Sequence, residues 1–335
     1  MSRAFICGCQ GTELTQEERD FLRASDPFGL ILFKRNVETP AQVRALIADF
    51  RACVGRDAAV LVDQEGGRVQ RLGPPHWRAY PAAARFGALD LPLPEREALV
   101  RRAATLLGQD LRALGFTVDC APVLDVPVRG AHDVIGDRAY SRDPESVARL
   151  GRAAALGLAD AGILPIMKHI PGHGRAGVDS HLQLPGVDAP LDLLRETDFY
   201  PFKANADLPA AMSAHVVYRA LDPERPGTLS PVVIRYIRED IGFRGLLFSD
   251  DLSMQALSGT LRERADAAFA AGIDLALHCN GNLAEAEAVA EAAPLLEGDA
   301  LTRAARAASW RGEPVAPFDP VEAWAEIEAL LAIGA

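Results

Sequence analysis

Lysine is scarce in this sequence, and cations as a whole are outnumbered by acids. Lysine occurs only at positions 34, 168 and 203, and Asp plus Glu exceed Lys plus Arg by 46 to 35, which gives a formal net charge of −11. Nucleic acids and anionic membrane surfaces bind proteins through clustered cations. The charge balance therefore predicts neither a nucleic-acid partner nor a membrane partner.

Long apolar runs and paired cysteines are also missing. No segment approaches the ~20 apolar residues of a membrane span, and the apolar run near the N-terminus is too short for a secretory signal. The cysteines, at positions 7, 9, 53, 120 and 279, are odd in number and fit neither a zinc-finger spacing nor a disulfide scaffold. Free buried thiols suit a reducing compartment, so the sequence predicts a cytoplasmic protein.

A Pro/Ser-rich linker is absent as well, and Gly8-Cys9-Gln10-Gly11 is a poor match to a phosphate-binding loop. Instead, short apolar runs alternate with longer amphipathic stretches. The strand candidates are 4–7, 29–33, 59–62, 117–121, 164–168, 210–214, 246–249 and 273–277. The helix candidates are 40–54, 95–114, 144–161, 230–241 and 261–271, the last stopped by Gly272, and then 284–296, 301–310 and 321–333.

This alternation predicts the fold. Strands that alternate with helices form parallel βα units, and eight such units fit a (β/α)8 barrel of the TIM type. A doubly wound sheet is the alternative. We expect residues 1–335 to form one α/β domain, with the helices of the segment 284–335 packed outside the barrel.

The most distinctive stretch is the segment 168–181, Lys-His-Ile-Pro-Gly-His-Gly-Arg-Ala-Gly-Val-Asp-Ser-His, which follows an apolar run. It places a lysine, three histidines and an aspartate within fourteen residues, and its glycines and proline disfavour a helix. Loops at the carboxyl ends of barrel strands carry the chemistry of α/β proteins. This segment is therefore the candidate centre of function.

The other strand candidates also end in polar residues. The third candidate is followed by Asp63, Glu65, Arg68 and Arg71, and the fourth by Asp125 and Arg138. The sixth is followed by His215, the seventh by Asp250 and Asp251, and the eighth by His278 and Asn280. A barrel brings these strand ends together at one rim. Acids, bases and amide donors at one rim predict a site for a polar, hydroxyl-rich ligand.

Structural roles are the simpler interpretation of these acids. Asp63 and Glu65 could form rim ion pairs with Arg68 and Arg71. Of the pair at 250 and 251, one aspartate is expected to cap a helix that begins at Leu252 and the other to face the barrel mouth. His278 is expected to be a structural rim histidine, and the role of His215 is left open.

A metal site is one possible use of the long loop. The candidate ligands are His169, His173, Asp179 and His181. However, Lys168 adds positive charge beside His169, and the Pro-Gly pair breaks the helix on which histidines four residues apart would share a face. The sequence therefore predicts no metal and no cofactor, and a metal-dependent hydrolase is a remote alternative.

A glycosidase could use the same residues. Cleavage of a glycosidic bond needs an acid that protonates the leaving oxygen and a carboxylate that meets the oxocarbenium-like centre. Asp250 could supply the carboxylate, while Asp179 could orient His181 and favour its charged form. A histidine held in this way can donate and then accept a proton near neutral pH.

Four motifs resemble glycoside hydrolase family 3. They are 62–71, Val-Asp-Gln-Glu-Gly-Gly-Arg-Val-Gln-Arg; 135–138, Ile-Gly-Asp-Arg; the loop 168–181; and 248–254, Phe-Ser-Asp-Asp-Leu-Ser-Met. The resemblance runs from about Gly29 to Cys279. Within the family, the sequence is most similar to the short, single-domain β-N-acetylglucosaminidases of bacterial peptidoglycan recycling.

The resemblance implies a retaining exo-β-N-acetylglucosaminidase that forms a covalent glycosyl-enzyme intermediate. It implies that Asp250 is the nucleophile and that His181, supported by Asp179, is the acid/base. The implied sugar-binding residues are Asp63, Arg71, Arg138, Lys168 and His169. The implied substrate is a small-molecule amino sugar, a non-reducing terminal β-N-acetylglucosamine on 1,6-anhydro-N-acetylmuramic acid with or without a peptide.

Other functions remain open on this fold. A histidine acid/base lacks the full negative charge of a carboxylate, so phosphate could attack the intermediate and make the protein a phosphorylase. A β-glucosidase would differ in the sugar it accepts. A non-catalytic sugar-binding barrel is less consistent with the sequence, because binding alone does not need an acid, a base and a nucleophile together.

Overall fold

A computed structural model describes residues 2–177, 184–310 and 319–333. The strands are β1 (Arg3–Gly8), β2 (Pro27–Leu32), β3 (Ala59–Val62), β4 (Gln64–Gly66), β5 (Val69–Gln70), β6 (Val118–Asp119), β7 (Leu164–Pro165), β8 (Met167–Ile170), β9 (Gly186–Val187), β10 (Ala210–Ser213), β11 (Val217–Tyr218), β12 (Leu246–Asp251) and β13 (Leu275–His278). The helices are α1 (Gln16–Ser25), α2 (Pro40–Val54), α3 (Ala83–Gly87), α4 (Leu93–Arg112), α5 (Pro144–Asp160), α6 (Leu191–Glu196), α7 (Tyr200–Ala204), α8 (Pro231–Glu239), α9 (Leu261–Ala271), α10 (Leu283–Ala292), α11 (Gly298–Ser309) and α12 (Pro320–Ile333). Of these helices, none has the length and apolarity that crossing a membrane would require.

The central sheet closes into a parallel barrel. Its strand order is β7-β6-β3-β2-β1-β13-β12-β10-β8. Because only Ile166 separates β7 from β8, these two are pieces of one strand, and the two ends of the sheet meet there. The barrel therefore has eight strands, one for each strand candidate of the sequence, and the predicted (β/α)8 architecture is confirmed.

Successive strand residues enter two different cores. Val60 and Val62 of β3 pack in the layer between the strands and the helices, whereas Leu61 points into the barrel interior. Phe5 and Ile6 of β1 divide in the same way. Side chains alternate along a strand, so a sheet that is covered on both faces needs apolar residues at every position. This explains the continuous apolar runs in the sequence.

Helix ends follow local signals in the sequence. The predicted bounds of α2 and α9 match the structure, and Gly272 ends α9 in the left-handed region at φ +109°. The tail helices α10, α11 and α12 correspond to those predicted for the segment 284–335. Leu296, Ala304 and Ala307 join the interior cluster, so α11 covers the amino-terminal end of the barrel. The carboxyl-terminal end of the barrel is therefore the end at which a functional site can open.

A small hairpin stands on the carboxyl end of β3. Its strands, β4 and β5, pair antiparallel around a turn at Gly66 and Gly67, whose φ angles are +89° and +58°. A Cβ atom at Gly66 would lie 2.4 Å from the Pro81 carbonyl oxygen, so glycine is required there for both conformation and space. The hairpin carries acidic and basic residues to the rim of the barrel.

Candidate active site

A cavity of about 240 Å³ opens at the carboxyl ends of the barrel strands. Its charged and polar lining residues are Asp63, Glu65, Arg71, Arg138, Lys168, His169, His173, Asp250 and Asp251. Every predicted site residue in the described part of the chain is thus found in this lining. The two others, Asp179 and His181, lie outside the described residues.

The Lys168 ammonium is buried between two carboxylates. Its Nζ atom lies 2.7 Å from Asp63 Oδ1 and 2.7 Å from Glu65 Oε1, and the lysine side chain is only 3% exposed. Burial by itself would lower the pKa of Lys168, but the two carboxylates outweigh it and raise the pKa above its usual value. Lys168 therefore remains a fixed cation at the wall of the cavity.

Glu65 also holds Arg138 in a two-point ion pair. Arg138 Nε donates to Glu65 Oε2 at 2.8 Å, and Nη2 donates to Oε1 at 2.9 Å. Burial opposes ionisation of Glu65, but Arg138 and Lys168 outweigh it and lower the pKa of Glu65 to about 2. Glu65 thus fixes two of the predicted sugar-binding residues, although it is not itself among the residues predicted for the site.

The pairing expected from the sequence is therefore only partly right. Asp63 does pair with Arg71, at 3.0 Å. Glu65 instead takes Arg138 and Lys168, while Arg68 pairs with Asp133 and Asp137. The spacing of two residues between Asp63 and Glu65 is the signal that both carboxylates share one side of the extended chain.

Arg71 is held from two directions. Its guanidinium donates to Asp63 Oδ2 at 3.0 Å and lies 4.9 Å from the centroid of the Phe33 ring. Arg35 lies 5.1 Å from the centroid of the same ring. Because Phe33 and Arg71 both line the cavity, the ring is a platform that orients a predicted sugar-binding cation.

Asp125 orients His169 from behind. The fully buried carboxylate lies 2.7 Å from His169 Nδ1 and accepts the His173 backbone N–H at 2.7 Å. Burial would raise the pKa of Asp125, but His169 outweighs it and the pKa is lowered. An ionised carboxylate only accepts, so Nδ1 carries the proton and Nε2 is the ring nitrogen left for a ligand.

His173 is neutral at physiological pH. Burial, followed by the neighbouring His169, lowers the pKa of His173 to about 4.

Within 2–177, 184–310 and 319–333, no group of three or more His, Cys, Asp and Glu residues is arranged to hold a metal ion. The candidate metal ligands Asp179 and His181 fall outside those ranges.

The two aspartates at the end of β12 differ in their partners. Asp251 Oδ1 accepts the backbone N–H groups of Ser253 at 2.9 Å and Cys279 at 3.1 Å, and Oδ2 accepts the Ser253 hydroxyl at 2.7 Å. Asp250 Oδ1 accepts the Asp251 N–H at 2.8 Å. Both oxygens of the Asp251 carboxylate thus accept hydrogen bonds from Ser253 or Cys279. Asp250 keeps an oxygen that can contact a ligand.

The predicted helix cap at Leu252 is wrong. Asp251 stabilises a turn in which its carbonyl accepts from the Met254 N–H, and the next helix, α9, begins only at Leu261 with Thr260 as its N-cap. The reason is local: Thr260 and Glu263 form a capping box, which is a stronger start signal than an aspartate followed by a turn.

Asp250 is ionised in its pocket. Burial would raise its pKa, but the neighbouring His215 and His169, together with the Asp251 N–H, outweigh burial and lower the pKa. A partly exposed, ionised carboxylate at the end of a barrel strand, facing a ring of fixed cations, is suited to nucleophilic attack or to stabilising a cationic centre.

Hydrogen bonds and an ion pair hold residues 172–176 at the rim of the barrel. Tyr218 donates its hydroxyl to the Gly172 carbonyl at 2.9 Å, and Arg175 Nε donates to Asp198 Oδ2 at 2.7 Å. The His132 N–H donates to the Ala176 carbonyl at 3.0 Å. Three separate elements thus position the stretch that leads towards the predicted acid/base residues.

The chain is also similar to known proteins over most of its length. A sequence-family model, described as the glycosyl hydrolase family 3 N terminal domain, matches residues 7–307 of this chain. A protein named Beta-hexosaminidase from Xanthomonas campestris pv. campestris is 40% identical over 305 residues, which cover 90% of each chain. Another of that name, from Pseudomonas aeruginosa, is 38% identical over 345 residues, which cover 100% of this chain and 98% of the relative.

Solved structures show the same relationship. Native NagZ from Neisseria gonorrhoeae matches with a TM-score of 0.84 and 32% identity, covering 99% of this chain and 96% of that one. The same protein in complex with N-trifluoroacetyl-D-glucosamine matches with a TM-score of 0.84 and 32% identity, covering 99% and 97%. The chain belongs to glycosyl hydrolase family 3.

Proposed function

We propose that this chain is a retaining exo-β-N-acetylglucosaminidase that removes non-reducing terminal N-acetylglucosamine from peptidoglycan fragments. Its family and the shared name of its relatives make it a β-N-acetylhexosaminidase. The observation that carries the finer proposal is the contrast at the cavity wall. Asp250 is ionised and uncommitted, whereas Asp63 and Glu65 are locked to cations.

Asp250 is the proposed nucleophile. Its free oxygen attacks the anomeric carbon and forms a covalent glycosyl-enzyme ester as the leaving group departs. Water then attacks the same carbon, releases the sugar and restores the carboxylate. Two displacements at one carbon give a product with the configuration of the substrate. The Asp251 N–H holds one oxygen of Asp250 throughout, which fixes the direction of attack.

The sugar-binding role is assigned to the ring of fixed charges. Asp63, Arg71, Arg138, Lys168 and His169 present acceptors and donors that are already held by protein partners. Donors that are fixed before binding need no reorganisation during the reaction. Pairing of the lysine and the two arginines with Asp63 and Glu65 keeps their combined charge low, which suits a neutral hydroxyl-rich sugar.

The acid/base role is assigned to His181, with Asp179 as its partner. Support comes from the other acids of the cavity wall. The pKa values of Asp63 and Glu65 are lowered and both groups are engaged by cations, so neither is suited to donate a proton near neutral pH. Asp251 is committed to Ser253 and Cys279. A proton donor on the loop that follows β8 is consistent with this exclusion.

The substrate assignment has two parts. For the sugar, support comes from the related NagZ structure that holds N-trifluoroacetyl-D-glucosamine. For the peptidoglycan fragment and a cytoplasmic place of action, support comes from the sequence resemblance. Release of N-acetylglucosamine from its disaccharide with 1,6-anhydro-N-acetylmuramic acid, compared with release from chitobiose, tests the fragment. A kcat/KM that favours chitobiose would contradict it.

Proton NMR of the first sugar formed from an aryl N-acetyl-β-glucosaminide tests the reaction itself. The proposal predicts that β-N-acetylglucosamine appears first and mutarotates later. Initial α-anomer would contradict retention. A sugar 1-phosphate formed in phosphate buffer would identify a phosphorylase, and a higher kcat/KM on the matching aryl β-glucoside would identify a β-glucosidase.

A further inference from the structure

The end of β12, where Asp250 lies, departs from regular strand pairing. β12 pairs with β10 through Leu246, Leu247 and Phe248, and the recorded pairing stops there. On the other side, the register with β13 shifts between Phe248 and Asp251. Backbone groups near Asp250 therefore need partners other than a regular ladder, because unpaired buried polar groups are costly.

Side chains supply several of these partners. On the side of β13, Ser249 Oγ accepts the Leu277 N–H at 2.9 Å, and the Asp251 carboxylate accepts the Cys279 N–H at 3.1 Å. On the side of β10, His215 Nε2 lies 3.0 Å from the Asp251 carbonyl oxygen. His215 thus provides the hydrogen bond that a continued β10 strand would have provided.

The contacts of His215 fix its tautomer. A carbonyl oxygen only accepts, so Nε2 carries the proton and Nδ1 is the acceptor. Nδ1 lies 2.8 Å from Thr228 Oγ1, which itself lies 2.7 Å from Ser213 Oγ. The Ser213 hydroxyl therefore donates to Thr228, Thr228 donates to His215, and His215 donates to Asp251. All three side chains are fully buried.

The neutral state of His215 agrees with this arrangement. Burial lowers the pKa of His215 despite the nearby Asp250 carboxylate. At neutral pH the imidazole therefore acts as a fixed hydrogen-bond donor, and its charge helps to lower the pKa of Asp250 only when the ring gains a second proton. A neutral imidazole has one donor and one acceptor, and the structure uses both.

We infer that His215 is a positioning residue for the nucleophile. His215 holds the carbonyl of Asp251, and the N–H of the same residue holds Oδ1 of Asp250. The chain of contacts from Ser213 through Thr228 and His215 thus ends on the carboxylate that is proposed to attack the sugar. This inference rests on the proposed role of Asp250.

The inference predicts a selective effect on bond formation. Displacement of a reacting group by about 1 Å can cost ~10²-fold in rate. His215 is not among the residues that line the cavity. Loss of its hydrogen bond should therefore slow formation of the glycosyl-enzyme and leave sugar affinity unchanged.

The test compares His215→Leu with His215→Gln in the full-length protein. A 5-fluoro analogue of an N-acetylglucosaminyl fluoride traps the glycosyl-enzyme, and intact-protein mass spectrometry counts labelled molecules over time. Fluoride leaves without needing an acid, so the rate reports on the nucleophile. His215→Leu should label to the same final fraction as wild type but ~100-fold more slowly, with an unchanged inhibition constant for N-acetylglucosamine.

Glutamine can place an N–H near the position of Nε2, so His215→Gln should recover about tenfold or more of the lost rate. The matched control is His278→Leu, which removes another fully buried histidine at the end of the neighbouring strand β13, whose imidazole lies 3.3 Å from Glu285. Its labelling rate per active molecule should stay within about twofold of wild type.

The outcomes separate the two claims. The inference fails if His215→Leu labels at the wild-type rate, if it labels a smaller fraction of molecules at the normal rate, or if His215→Gln is no better than His215→Leu. Asp250→Asn serves as the reference variant and should form no labelled protein. Normal labelling of Asp250→Asn would instead overturn the proposed function.

Discussion

Carboxylates near the end of β3 and the carboxylate at the end of β12 are the same chemical group in opposite settings. Glu65 is 5% exposed and contacts two cations, and Asp63 contacts two as well. Asp250 accepts one backbone N–H, and no ion pair of Asp250 is found among the described residues. Each of these side chains lines the same cavity.

This difference separates binding from bond making. A carboxylate paired with buried cations holds those cations in fixed positions for binding a sugar. It is a poor nucleophile because the cations already neutralise its negative charge. A carboxylate held by a single backbone donor keeps a free oxygen for the anomeric carbon. The role of each acid is therefore set by its partners and not by its residue type.

Loss of the uncommitted carboxylate should have the largest effect. Asp250→Asn is expected to lower kcat on an aryl N-acetyl-β-glucosaminide by about 10³-fold or more, because an amide cannot form the ester intermediate. Calorimetric binding of N-acetylglucosamine should change little. Asp63→Asn is the matched change on the opposite side, and we expect it to raise KM more than it lowers kcat. Equal loss of kcat in both variants would break the distinction.

Removal of charge from the paired side should weaken binding and stability together. Glu65→Gln leaves Arg138 and Lys168 without one of their shared carboxylates, and breaking a buried ion pair costs about 3–5 kcal/mol. The free energy of unfolding in urea should fall by an amount of this order, and KM should rise about tenfold or more. An unchanged KM would show that these cations do not bind the sugar.

The pH dependence of stability should reveal the same pairing. The pKa of Glu65 is lowered to about 2 in the folded protein, so its ion pairs stabilise the fold above the unfolded pKa and this stabilisation is lost as the pH falls from about 4.5 towards 2. Between pH 6 and pH 3, the wild-type free energy of unfolding should fall by on the order of 2 kcal/mol more than that of Glu65→Gln. Parallel urea titrations of both proteins measure this difference, and identical pH profiles would contradict the shift.

The smallest expected effect concerns the aromatic platform beneath Arg71. Phe33→Leu removes a ring that lies 4.9 Å from the guanidinium, and a cation–π contact contributes about 0.5–2 kcal/mol. We expect KM to rise severalfold with kcat nearly unchanged. Phe33→Tyr keeps the ring and should keep the wild-type KM, so a similar rise in both variants would argue for a purely steric role.

Much of the fold can be predicted from local signals in the sequence. The eight strands follow from continuous apolar runs, and the bounds of α2 and α9 follow from Thr39, Pro40 and Gly55 and from Thr260 and Gly272. Helix α1 is not among the predicted helices, although its N-cap Thr15 and Glu18 in its first turn form a capping box. Helices α6 and α7 span only 6 and 5 residues, too few for a helical period to stand out.

The partners within the site depend on distant parts of the chain. Glu65 and Arg138 are 73 residues apart, and the sequence could place both at the rim but could not pair them. The choice between Asp250 and Asp251 depends on the irregular end of β12, where alternation along the strand no longer applies. Such contacts depend on tertiary packing and on strand register, so they cannot be predicted from the pattern of neighbouring residues in the sequence.

The central claim is that the uncommitted carboxylate at the end of β12 becomes covalently bound to the sugar. Peptide mapping of the enzyme trapped with the 5-fluoro glycosyl fluoride tests it most directly. We predict a single glycosylated peptide in which tandem mass spectrometry places the sugar on Asp250. A sugar found on Asp251, Asp63 or Glu65 would contradict the account.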